Sequence, residues 1–249
     1  MINASSEPDV DDRGRLGRNL THGLLESLGR AIVTGRFEQG FPTEAELARR
    51  HGVSRSVTRE AVKMLTAKGL VSARPRQGTT IRPATSWNLF DPDVLRWLLE
   101  RRFSIELLRH FSELRMGVEP EAAALAARCG DEADHRGVVA GLDRMKAAER
   151  GEDDTLEADI AFHVAVLRAS KNPFYAQFRD MVATALATSI RFTNRIQGHS
   201  ASIPEHEAVC DAVLARDAEG ARAAMRTLIG NAIGLLDRAG DERPSPPWD

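Results

Sequence analysis

Three punctuation residues close together constrain the fold of this chain more than anything else in it. Thr43 stands directly before Glu44-Ala45-Glu46, Gly52 follows His51, and Ser54 comes two residues later. A hydroxyl at a helix start accepts from an orphaned first-turn amide, and acidic residues there suit the positive end of the helix dipole. Glycine ends a helix by turning left-handed without a Cβ penalty. One short helix, a tight turn and a second helix are therefore predicted between Thr43 and about Gly69. Val57, Ala61, Val62 and Leu65 form the buried face of the second. Upstream, Leu20, Leu24, Leu25, Leu28, Ile32 and Val33 recur at helical spacing from about Arg18 to Gly35. Downstream, Leu70–Ala73 and Thr79–Ile81 have strand character and flank the basic turn Arg74-Pro75-Arg76-Gln77-Gly78, which predicts a β-wing. Three helices and a wing in this order predict a winged helix-turn-helix over residues 14–82, preceded by a flexible arm over 1–13.

Charge divides the chain at the same place. Between Gly14 and Arg82 there are 13 Lys and Arg against 5 Asp and Glu, so the segment carries +8. The remainder carries −10, and the near-neutral total of −2 is a cancellation. So basic a segment is the electrostatic footprint of a phosphate-binding module, and an acidic remainder implies a separate domain with a separate task. The plain alternative is two solvated surfaces of different charge.

At 249 residues the chain suits one large domain or two ordinary ones. No apolar run reaches the roughly 18 residues of a bilayer-spanning helix. The first twenty residues hold Glu7, Asp9, Asp11 and Asp12 without an apolar centre, unlike a signal peptide. Cys129 and Cys210 form no disulfide framework. Together these features predict a cytoplasmic protein with no membrane partner.

After Pro83 the pattern is helical throughout, with helices expected over 91–102, 104–129, 131–150, 152–170, 173–196, 203–216 and 218–238. The expected divisions are a linker and first sensor helix at 83–102, an all-helical domain at 103–240 and a disordered Pro-rich tail at 241–249. The fold class is mainly α.

In the basic half, Ser54-Arg55-Ser56-Val57-Thr58-Arg59 puts polar and cationic side chains at a helix start, the end of a recognition helix that enters the major groove. Arg55 and Arg59 share a face at i, i+4. Arginine can bond bidentately to guanine, while hydroxyls and helix-start amides hold phosphates. Arg76 and Gln77, beside Gly78 in the wing, are placed to reach an adjacent groove or backbone. In the helical half, Asp159 and His163 stand one helical turn apart, and His206 lies near the start of a later helix. One carboxylate and two imidazoles suit zinc, nickel or manganese, although an Asp–His pair at this spacing is more often a plain hydrogen bond.

Pro42-Thr43-Glu44-x-x-Leu47-Ala48, Gly52-Val53-Ser54-Arg55-x-x-x-Arg59-Glu60-Ala61, Leu65, Gly69-Leu70-Val71 and Gly78 resemble the N-terminal domain of GntR-type bacterial transcription regulators. The resemblance implies operator contacts by Thr43, Ser54, Arg55, Ser56, Arg59, Arg76, Gln77 and Gly78. Ala45 stands where members often carry a further arginine. The helical half resembles the FCD-type ligand-binding bundle of the FadR subfamily, through Glu113-x-Arg115, Glu119-Pro120-x-Ala122-Ala123, Asp159-x-x-Phe162-His163, Asn172-Pro173 and Glu205-His206-x-x-Val209. It implies a divalent metal on Asp159, His163 and His206. Leu228 occupies the usual fourth-ligand position, and Asn231, water or the effector is left to complete the sphere. It also implies that Arg115 receives an effector carboxylate, the alternative being a salt bridge with Glu113 or Glu119. Arg191, Asn194 and Arg195 are further effector candidates, or else a solvated face.

The junction Trp87-Asn88-Leu89-x-Asp91-x-Asp93-Val94-Leu95-x-Trp97 is similar to that of galactonate-operon repressors, which implies a sugar acid as effector; Trp87 and Trp97 can equally be packing anchors. The reading is a homodimeric repressor, not an enzyme, bound to a palindromic operator. Rival readings are a fatty-acyl or other carboxylate sensor of the same fold, and a metal-dependent hydrolase fused to a DNA-binding arm. No G-x-S-x-G or H-E-x-x-H motif supports the hydrolase.

Overall fold

A computed structural model describes residues 10–37, 40–74, 78–101, 105–187 and 202–240. The chain is mainly helical and divides into two compact units, Met1–Arg101 and Arg102–Asp249.

In the first unit, α1 (Val10–Val33) packs on α3 (Arg55–Ala67), with α2 (Glu44–His51) between them in sequence. The helix starts earlier than its apolar periodicity, inside the stretch expected to be an arm. Leu24, Leu25, Leu28, Ile32 and Val33 are buried with Leu47, Ala61, Val62 and Leu65. Thr43 and Glu46 form a reciprocal capping box, and Gly52 ends α2 in the left-handed region at φ 64°. Ser54 caps α3. Strands β1 (Val71–Arg74) and β2 (Gly78–Ile81) pair antiparallel, Val71 opposite Ile81 and Arg74 opposite Gly78. These elements form the expected winged helix-turn-helix.

Helix α4 (Pro92–Arg101), expected to open the sensor, belongs instead to this first unit and packs on α1. Trp97 is 1% exposed. A Cβ on Gly29 of α1 would lie 2.3 Å from its ring, so the glycine supplies the notch that seats the indole. Around that joint Arg96 bonds both carboxylate oxygens of Glu26 at 2.8 and 2.7 Å, and Lys68 bonds Asp91 and Asp93 at 2.8 Å. Hydrogen bonding to Arg96, against the opposing effect of burial, pulls the Glu26 carboxyl down to about 2. Trp87 donates its indole N–H to the Arg82 carbonyl at 3.0 Å.

The second unit contains α5 (Ile105–Cys129), α6 (Glu132–Glu149), α7 (Thr155–Ala169), α8 (Pro173–Gln177), a helical stretch over 179–187 (α9), α10 (Ile203–Leu214) and α11 (Ala218–Gly240). Alanines 122, 123, 126 and 127 are buried and let α5 approach its neighbours, and Phe162, Val209, Met225 and Ile229 fill the centre. The helix expected over 173–196 is interrupted by a turn at Phe178, where no glycine or proline marks it. Among the described residues no helix is long and apolar enough to cross a membrane.

Candidate functional site

Two sets of residues matter, one in each unit. In the first, Arg55, Ser56 and Arg59 are exposed along the start of α3. The Ser54 hydroxyl accepts from the Val57 amide at 3.3 Å and shares a 2.8 Å hydrogen bond with the Ser56 hydroxyl. Thr43 spends its hydroxyl on Glu46. Arg59 reaches back to Glu44 of α2, Nε to Oε2 at 3.6 Å, a pairing the sequence reading did not anticipate. Gly78 opens β2 at φ 81°, a conformation that favours glycine. Arg76 and Gln77 lie outside the described residues.

In the second unit, α5, α7 and α10 bring five ionisable side chains together in the interior. Asp159, His163 and His206 are 3%, 1% and 3% exposed, and one ligand atom from each lies within 4.8 Å of the others. The spacing on α7 aligns Asp159 with His163; packing of α10 adds His206. Phe162 meets both imidazoles edge-on, with ring centroids 5.7 and 5.0 Å away, and keeps that side apolar.

The hydrogen bonds of the two imidazoles decide which nitrogens face the centre. His206 directs Nδ1 to the Ser202 carbonyl at 2.7 Å, and His163 directs Nδ1 to Glu119 Oε2 at 2.6 Å. With those N–H groups donated, the lone pair of each neutral ring sits on Nε2. The His206 Nε2 lies 3.1 Å from Asp159 Oδ1, and the His163 Nε2 lies 3.9 Å from the same oxygen. The shorter approach lacks hydrogen-bond alignment, and His206 Nε2 has no hydrogen-bond partner. Two lone pairs converging with a carboxylate, each ring anchored through its other nitrogen, form a donor set that fits a divalent cation. Burial opposes ionisation of Asp159, but the protonated forms of the adjacent histidines, together with Arg115, outweigh it and hold the carboxyl below its usual range; a divalent cation would take the place of those protons.

Arg115 is 6% exposed and committed to Glu119, which is 1% exposed. Its Nε donates to Oε1 at 2.5 Å and its Nη2 to Oε2 at 3.2 Å. Of the two partners open to Arg115, Glu119 is therefore the one used; Glu113 pairs with Arg109 at 3.2 Å. Burial alone would raise the Glu119 carboxyl, yet Arg115 and His163 hold it at about 2. The sequence reading missed Glu119 as part of the site. Its signal was the i, i+4 spacing from Arg115.

Leu228 is 6% exposed within the hydrophobic core. Asn231 is exposed on α11 and donates to Glu205 Oε1 at 2.5 Å. Arg191, Asn194 and Arg195 lie outside the described residues.

Residues 20–81 match the family model "Bacterial regulatory proteins, gntR family", and residues 110–231 match the FCD domain. The chain is 34% identical to the HTH-type transcriptional regulator YieP of Escherichia coli K12, covering 85% of this chain and 93% of that one. It is 33% identical to the galactonate operon transcriptional repressor of the same organism, covering 88% and 97%. Among solved structures, Lar of Listeria monocytogenes is similar in fold at TM-score 0.58 and 19% identity, covering 95% and 99%.

Proposed function

The chain belongs to the GntR family of bacterial regulatory proteins, with an FCD domain as its helical half, and on that premise we propose that it is a cytoplasmic homodimeric repressor released from a palindromic operator by a sugar acid. Ligand-responsive transcription regulation is the family's activity, so the chain is a DNA-binding regulator and not an enzyme. The finer reading rests on one observation above all: the buried convergence of Asp159, His163 and His206 beside Arg115. A divalent cation held there supplies Lewis-acid attraction for a carboxylate and a neighbouring hydroxyl. Arg115 adds a donor through Nη1, the part of its fork not spent on Glu119. Apolar Leu228 leaves room in the coordination sphere for water or the effector. The galactonate operon repressor among the relatives favours an aldonate over a fatty-acyl ligand.

Residues 14–82 would carry DNA recognition and 103–240 effector binding and dimerisation. Two-fold symmetry would place two copies of α3 in successive major grooves of a palindrome. The effector would act by binding unequally to the operator-bound and released arrangements. Native mass spectrometry of full-length protein taken directly from cells tests the ligand assignment. A retained divalent metal with a sugar acid supports it; a retained acyl chain replaces it with the fatty-acyl reading.

Base reading by α3 carries its own prediction. Replacing Arg55 with Ala should cost about 1–3 kcal/mol of discrimination between operator and random duplex at fixed salt. Equal loss on both duplexes would reduce Arg55 to a phosphate contact.

A further inference from the structure

Resting on the cation reading of Asp159, His163 and His206, we infer that Glu119 is a positioning residue whose carboxylate selects the His163 nitrogen that faces the cation. An imidazole has two nitrogens, and a neutral ring carries its proton on either one. A buried ionised carboxylate only accepts hydrogen bonds. At 2.6 Å from Glu119 Oε2, His163 Nδ1 must therefore be the donor, which leaves Nε2 with its lone pair directed to the side of Asp159 and His206. Arg115 completes the device from the same helix. Its two bonds to Glu119 set a guanidinium against both carboxylate oxygens, and the carboxylate in turn neutralises a positive charge that would otherwise repel a cation. Arg115 Nη2 also lies 3.2 Å from both ring nitrogens of His163; a guanidinium only donates, so with the ring proton on Nδ1 it is Nε2 that can accept from it until a cation takes that lone pair. His206 has the equivalent anchor in a main-chain carbonyl, that of Ser202, so Glu119 is the anchor that a side-chain substitution can change.

The chemistry of an amide makes this testable. In Glu119→Gln one oxygen must serve two neighbours, Arg115 and His163, that both donate. If the oxygen turns to Arg115, the amide NH2 faces His163 Nδ1, which must then accept, and the ring proton moves to Nε2, where it blocks a cation. Removing the competing donor in Arg115→Met/Glu119→Gln lets the amide oxygen accept from Nδ1 again. With the full chain and Co2+ as probe, read by its visible absorption and by titration calorimetry, Glu119→Gln should bind about 10–100-fold more weakly than wild type. The double variant should recover most of that loss. Imidazole 15N shifts should place the His163 proton on Nδ1 in wild type and the double variant, and on Nε2 in Glu119→Gln. A merely structural Glu119 predicts no such reversal by a second deletion. Wild-type affinity in Glu119→Gln, or no recovery in the double variant, overturns the inference. If Glu119→Gln does not fold, the double variant decides: an Nδ1 proton with near-wild-type binding supports the role, and an Nε2 proton overturns it. A wild-type chain that ignores Co2+ defeats the cation reading instead, and the tautomer shifts still report on Glu119.

Discussion

Replacing Arg115 with Met should destabilise the helical unit by about 3 kcal/mol, because it leaves the Glu119 carboxylate buried without its cation. Breaking a buried ion pair from one side typically costs about 3–5 kcal/mol. The lower end applies because His163 still donates to Glu119. Urea unfolding followed by a probe confined to the second unit measures the change. The same measurement across acid pH reports the sign of the linkage. The Glu119 carboxyl lies at about 2 in the folded chain, below the roughly 4.3 of an unfolded glutamate. Its contribution is fully present above the unfolded value and is lost as pH falls through the folded one. Asp159, also held low, acts in the same direction. Wild type should therefore lose stability from about pH 4.3 downward, and Arg115→Met should lose less over that window because its Glu119 is no longer held down. Removing the stranded carboxylate as well, in Arg115→Met/Glu119→Gln, should restore part of the midpoint. A single Arg115→Met chain as stable as wild type would mean that Glu119 is not ionised in the core.

If the proposed site holds the metal, His206→Ala should reduce divalent-metal affinity by more than the roughly 10–100-fold expected from losing an outer hydrogen bond, because it removes one of the three candidate ligands among the described residues. In sites with four protein ligands the remaining three still define a pocket. Here Leu228 supplies nothing, and Asp159 with His163 alone are one turn of a single helix. Metal content of the purified chain and Zn2+ calorimetry measure the loss, with circular dichroism confirming that α10 is intact. The substitution also removes an edge-on contact with Phe162, so a modest fall in stability should accompany it. Undiminished Zn2+ binding would place the metal elsewhere.

What could be read from the sequence, and what could not, follows the range of the interactions involved. Thr43, Gly52 and Ser54 act on amides within a few residues of themselves, so their caps and the turn between α2 and α3 were readable one position at a time. The existence of the wing followed from the same local logic, while its strands extend to Arg74 and Gly78, which had read as part of the turn. The docking of α4 was not readable, because it depends on Gly29 and Trp97 meeting across 68 positions, and a glycine inside a helical pattern says only that something approaches closely. The turn at Phe178 has no local signature. In the site, Asp159 and His163 were legible as a pair because helix geometry alone aligns them, whereas Leu228 drew notice only through the family resemblance. The partner of Arg115 was not, since Glu113 and Glu119 offer similar carboxylates and only the packing of α5 on α7 turns Glu119 toward His163. That packing made a residue read as part of a family pattern into the link between Arg115 and His163.

The most direct test of regulation through the helical site is an operator titration by fluorescence anisotropy. An operator selected from random duplexes by the full chain is titrated at fixed salt with Zn2+ present, across a panel of aldonates and uronates, for wild type and His206→Ala. If a sugar acid acts through this site, at least one aldonate should weaken operator binding by wild type, and the same aldonate should leave His206→Ala bound. Operator affinity unchanged by every member of the panel, or an equal response in the two chains, would contradict it.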